Sequence, residues 1–191
     1  MKEIKTQVMA IVHGKSEFHL CNNIKSNLKI KHEIISKNKG KHSIQVTSVM
    51  HILNNSQFES LNKFKRSFPD VEVAKRKLIN FKLFIIMDVD DCNTEQIKRS
   101  FIDKTMFKGH WLYDYIVPIY NDPHLEKTMM HLNIPVTKKK DYIKIFPTNH
   151  GDSNYEMIKD LANKLEKCRT SNLEQYINYC LEIAKKQVKK I

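Results

Sequence analysis

Two apolar runs constrain this chain more than any other feature: Val8-Met9-Ala10-Ile11-Val12 and Phe81-Lys82-Leu83-Phe84-Ile85-Ile86-Met87. Both are close to continuous rather than alternating, which is the pattern of strands covered on both faces. Each also stops abruptly in polar residues. The first runs into His13-Gly14-Lys15-Ser16-Glu17 and the second into Asp88-Val89-Asp90-Asp91. Strands of this kind need helices on both sides, and helical periods surround them. After Ser16, which is the expected N-cap, Phe18, Cys21, Ile24 and Leu28 recur at three- and four-residue steps.

Further elements follow the same alternation. Residues 32–36 read as a strand, 37–41 as a polar turn, and Ile44 to Leu53 and 57–68 as helical pieces, the second ending before Pro69. Asn93 and Gln96 have capping-box spacing for a helix of about 94–104. Tyr115 to Tyr120 reads as a strand, and Pro118 within it argues for a sheet edge or a bulge. Asp122-Pro123 has the form of an N-cap and first helical residue for a helix through Leu132. Tyr142 to Phe146 suggests one more short strand. Two amphipathic helices close the chain, one with Ile158, Leu161, Leu165 and Cys168 on a face, the other with Leu173, Tyr176, Ile177, Cys180, Leu181, Ala184 and Val188. The expected fold is α/β, a mostly parallel sheet flanked by helices, with residues 1–150 as the α/β domain and 151–191 as a helical extension packed on it.

Composition narrows the class. Lys+Arg number 33 against 21 Asp+Glu, a net charge of +12 that suits an acidic partner such as nucleic acid. Arginine is scarce, at Arg66, Arg76, Arg99 and Arg169, and Lys, Asn and Ile together are what AT-rich coding favours, so the charge alone does not establish that partner. No apolar run approaches the roughly 18 residues of a membrane span, and the N-terminus lacks a signal-peptide pattern. Cys21, Cys92, Cys168 and Cys180 show no CxxC spacing and read as reduced thiols. A cytoplasmic protein with no membrane association is expected.

In open parallel sheets ligands collect at the carboxyl ends of the strands, where both polar clusters lie. Asp88 and Asp90, two apart on an extended chain, are expected to project to one side and attract a hard divalent cation, with Asp91 as a further ligand. The plainer reading is an acidic turn capping the next helix. Gly14-Lys15-Ser16 looks like the tail of a phosphate-binding P-loop, but the residue five before Gly14 is Met9, so that motif is absent. Asp88-Val89-Asp90 also resembles the nucleophile loop of haloacid-dehalogenase-type phosphatases. Against this, Cys92 stands where that family commonly has Thr or Val, and no downstream acidic pair is found.

A third pattern joins both clusters. A hydrophobic strand, E-G-x-x-[DE] opening a helix, then a later hydrophobic strand ending in D-x-D is the layout of the Toprim domain of topoisomerases, primases and overcoming-lysogenization-defect-type nucleases. Val8–Val12 with His13-Gly14-Lys15-Ser16-Glu17 resembles the first motif, and Phe84–Met87 with Asp88-Val89-Asp90-Asp91 the second; the likeness covers about residues 7–120, and the C-terminal helices lie outside it. It implies a Toprim-like, Rossmann-like fold and a Mg²⁺- or Mn²⁺-dependent phosphodiester site, with Glu17, Asp88, Asp90 and Asp91 as metal ligands and Glu17 and His13 as catalytic groups. His13 occupies the place of the family's catalytic glutamate. Either the imidazole takes over proton transfer, or the site binds metal with impaired chemistry, or the domain is degenerate. Lys15 and Lys41 are candidates for contacting the nucleic-acid backbone, as is the tract Lys138-Lys139-Lys140. The expected activity is a metal-dependent nuclease or phosphodiester-transfer domain, for instance in phage defence or a mobile element. The alternative is a catalytically silent module that binds nucleic acid or a protein partner, with the C-terminal helices as a homodimer surface.

Overall fold

The computed structural model describes residues 5–134, 136, 141 and 155–188. The suggested strand at Tyr142–Phe146 and the Lys138–Lys140 tract lie outside these residues.

The two apolar runs become the centre of a four-stranded sheet, all of whose pairings are parallel. Its strands are β1 (Val8–Val12), β2 (His32–Ile35), β5 (Lys82–Asp88) and β6 (Ile116–Asn121), in the order β2-β1-β5-β6. The remaining strands, β3 (Val73–Ala74) and β4 (Lys77–Leu78), form a separate antiparallel pair. β1 and β5 are the inner strands and are buried along their apolar lengths, as continuous hydrophobicity requires. β6 lies at one edge, where Pro118 removes no ladder donor that a further strand would need.

Alternation along these strands divides the core in two. Val8, Ala10, Val12, Phe84 and Ile86 face α1 (Lys15–Leu28), α5 (Leu125–His131), α6 (Tyr155–Leu165) and α7 (Glu174–Val188). Met9, Ile11, Leu83, Ile85 and Met87 face the other way, toward α2 (Val49–Leu53), α3 (Leu61–Ser67) and α4 (Glu95–Ile102). The apolar stripes of α6 and α7, with Ile158, Leu161, Leu165, Leu173, Tyr176 and Ile177, are buried in the same cluster as β1 and α1. These helices thus complete one layer of the sheet's cover. None of the described helices is long and apolar enough to cross a membrane.

Three helix starts differ from expectation. Gly14, not Ser16, caps α1, because Glu17 reaches back to accept the Gly14 N–H at 2.9 Å. Thr94, not Asn93, caps α4 through its hydroxyl, which accepts from Ile97 N–H. His124 caps α5 in place of Asp122, whose carboxylate instead takes an ion pair from Lys98 at 2.6 Å.

Candidate functional site

The sheet order sets the geometry. The chain leaves β1 toward β2 on one side, and β5 and β6 are laid down on the other. The carboxyl ends of β1 and β5 are therefore the topological switch point, the place where diverging loops form the ligand crevice in open parallel sheets. His13-Gly14 and Asp88 stand on its two sides. The backbone N–H of His13 donates to Ile86 O at 2.9 Å and locks the two ends together.

Glu17 is reached through the first turn of α1. Only 1 % of it is exposed, and while Oε2 accepts the Gly14 N–H, Oε1 is buried with no hydrogen-bond partner. Burial pushes its pKa up to about 8, with the neighbouring charges of Asp88 and Glu126 pushing the same way. Asp88, the last residue of β5, is 6 % exposed. Its Oδ1 accepts from Leu125 N–H at 3.0 Å and Asn121 Nδ2 at 3.2 Å. Burial raises its pKa to about 6, partly opposed by the nearby His13 ring and these donors. Glu17 and Asp88 thus straddle neutrality, one tending to keep a proton and the other to lose it.

The third carboxylate, Glu126, escapes sequence reasoning. It lies in the first turn of α5, and Ser16 Oγ donates to its Oε1 at 2.5 Å. This contact explains why Ser16 is buried without capping α1. An acidic residue in the first turn of the helix after the edge strand was the available signal, but that signal fits an ordinary helix start equally well.

His13 is held at the rim. Its Nδ1 lies 3.0 Å from Ile44 O and 3.8 Å from Asp91 Oδ2. A carbonyl oxygen only accepts, so Nδ1 carries a proton, and in a neutral ring Nε2 is left as the acceptor. Both Asp91 oxygens are buried without a hydrogen bond of good geometry, and desolvation raises this carboxyl's pKa against the opposing pull of His13.

Asp90 does not join the group. β5 ends at Asp88, and the chain then turns, with Val89 N–H directed to Asn121 O and Pro123 O. The two-residue alternation that paired Asp88 with Asp90 therefore stops one residue too soon, leaving Asp88 buried and Asp90 exposed. Among the described residues, no set of three or more His, Cys, Asp or Glu side chains stands close enough together to hold a metal ion as it is.

Lys15 and Lys41 are both exposed, and the backbone brings their segments together. Gly40 has φ +77°, and a Cβ built there would fall 2.7 Å from Lys15 Cα and 2.8 Å from Gly14 O. Only glycine allows that turn to lie against the start of α1. Ile44 N–H then donates to His13 O at 2.7 Å, so the 37–44 segment walls the crevice beside His13.

No protein-family model, curated protein or solved structure matches the chain.

Proposed function

We propose that the crevice between β1 and β5 is a divalent-cation-dependent phosphodiester site of Toprim type that acts on nucleic acid. The observation that carries this reading is the buried, unpartnered Oε1 of Glu17, charge-coupled to Asp88 and Glu126 at the sheet's switch point. Buried carboxylates normally have hydrogen-bond partners or a counter-ion. A hard cation such as Mg²⁺ or Mn²⁺ suits an all-oxygen donor set, and Glu17, Asp88 and Glu126 would have to draw closer together to hold it, with Asp91 at the rim. When bound, such an ion supplies charge stabilisation for a phosphoryl centre and lowers the pKa of water. Asn121 and the Leu125 N–H orient the Asp88 carboxylate. His13, with Nδ1 fixed by Ile44 O, presents Nε2 as a proton acceptor. Lys15 and Lys41 offer positive charge at the mouth for substrate phosphates.

The test is cleavage of plasmid and single-stranded DNA and RNA in Mg²⁺ or Mn²⁺ beside an Asp88→Asn control. Metal-dependent cleavage lost in the variant supports the reading; the same residual cleavage in both proteins contradicts it.

A second reading is a catalytically silent nucleic-acid-binding module. Two observations favour it: an imidazole where a catalytic carboxylate would stand, and the lack of a ready metal-ligand triad among the described residues. Retained nucleic-acid binding without cleavage, and cleavage gained by His13→Glu, would support it.

A further inference from the structure

A second polar site lies beyond the carboxyl end of β6. A solvent-open groove of about 580 Å³ is bounded by the C-terminal ends of α5 and α6 and the turn after α6, with His131, Asp160, Lys164, Lys167, Arg169 and Thr170 among its walls. Three of these side chains are basic and one is a carboxylate. Among the described residues Lys164, Lys167 and Arg169 form no ion pair. The helix ends themselves present carbonyl oxygens, equivalent to about half a negative charge each. The helix ends and Asp160 together offset about two of the three positive charges, so the groove keeps a net positive charge and favours an anion. Its size is within the roughly 300–1,000 Å³ of small-ligand sites.

The groove is tied to the acidic crevice through backbone and side chain. Thr170 O accepts Asp122 N–H at 2.7 Å, and Ser171 Oγ donates to Asn121 Oδ1 at 2.9 Å. Asn121 in turn donates to Asp88 Oδ1 at 3.2 Å. The basic groove and the carboxylates therefore sit on either side of one strand end, and both are on the carboxyl side of the sheet.

We infer that this groove binds a backbone phosphate of a single-stranded nucleic acid, anchoring by Lys164, Lys167 and Arg169 the strand whose neighbouring phosphodiester enters the crevice. The inference rests on the nucleic-acid reading above, and adds a substrate contact that the crevice alone does not supply. Arg169 offers the planar fork that matches phosphate oxygens, and the two lysines add point charges. The Lys15–Lys41 wall lies on the other side of the crevice, at the start of α1, so a strand crossing the site meets cations at both ends.

The decisive experiment measures binding of fluorescein-labelled oligothymidylate to the full chain by anisotropy, without divalent ions and over a range of salt. It compares the wild type with Lys164→Ala/Lys167→Ala/Arg169→Ala and with Lys63→Ala, an exposed lysine of α3 on the opposite face of the sheet. Inorganic phosphate and AMP are titrated separately, with the amide signals of residues 164–170 followed by NMR. The triple variant is expected to bind at least about tenfold more weakly, with a log–log salt slope shallower by about 2. Lys63→Ala is expected to bind as the wild type does. Equal affinity and slope in the triple variant overturn the groove assignment even if the wild type binds DNA. Failure of the wild type to bind, with phosphate and AMP shifting those amides, overturns the nucleic-acid substrate and leaves a small phosphorylated ligand. Failure of both removes the anion site. Binding through the groove without metal-dependent cleavage contradicts the chemistry proposed for the carboxylates and supports the groove.

Discussion

Helix α1 buries two groups of polar side chains one turn apart, and they behave differently. Glu17 meets Asp88 and Glu126 at the end of the sheet; Cys21 meets Tyr176 and Cys180 deeper in the same layer, near His32. Burial dominates the titration of both groups. In the deeper one it moves every member away from the physiological range. The Cys21 thiol is pushed up to about 12, the Cys180 thiol and Tyr176 hydroxyl well above their ordinary values, and the His32 imidazole down to about 3. All four stay neutral, and the Tyr176 ring packs edge-on against Phe84 with centroids 5.3 Å apart. His32 Nε2 has no partner, but an orphaned atom of a neutral ring is far cheaper than an orphaned charge. At the sheet end the same desolvation acts on acids whose pKa starts low, and lands them at about 6 and 8. A perturbed pKa therefore does not mark a site by itself. Like charges forced together near neutrality, at a place where loops diverge, do so with much more specificity.

The contrast can be broken at either end. The largest expected effect is structural: Tyr176→Ala should cost about 3–5 kcal/mol, as for a large buried aromatic, and leave a cavity against Phe84. Urea unfolding checks this. A loss under about 1 kcal/mol would mean that the deeper group is loosely packed. Next in size is ligand linkage. Saturating Mn²⁺, at about a hundred times its Kd, should stabilise the wild type by about 2.7 kcal/mol, and neither Glu17→Gln nor Asp88→Asn should respond.

The third effect is pH dependence without metal. Both carboxylates have folded-state pKa values above their ordinary ones of 4.5 and 3.8, so each favours the folded state most when protonated. Their contribution is fully present below about pH 4 and is lost as pH rises through about 6 and then 8. Glu17→Gln should therefore gain on the wild type between about pH 5 and pH 8, by about 1 kcal/mol or more. Thermal unfolding across this range checks the sign; an unchanged difference would show that Glu17 is not held protonated. The smallest effect is expected from Cys21→Ala, about 1 kcal/mol for a lost sulfur contact. It should be the same at both pH values, because that thiol does not ionise between them.

Most of the fold was legible because burial writes itself into strand composition. The continuous apolar runs at 8–12 and 82–87, the edge position signalled by Pro118 and the stripes of α6 and α7 all follow from which faces are covered. Ile44 to Leu53 was less legible: it is a 3-10 turn at Val46–Ser48 followed by the short α2, because its apolar residues serve the core without a helical stripe. At the site, Glu17 and Asp88 were legible as residues at strand exits. Asp90 misled because alternation holds only while the strand lasts. Glu126 was hidden because nothing local says that the start of α5 returns to the start of α1. Ser16 and Asp122 both looked like caps, and each instead makes a contact far along the sequence, to Glu126 and Lys98.

The central claim is that Glu17 and Asp88 form a cation site closed by a proton when no ion is present. Calorimetric titration of the full chain with Mn²⁺ near neutral pH, in two buffers of different ionisation enthalpy, tests it directly. Glu17, with its pKa at about 8, must give up its proton to bind an ion. The predicted result is one binding event with net proton release to the buffer, absent in both Glu17→Gln and Asp88→Asn. No binding, or binding that neither substitution alters, would contradict it.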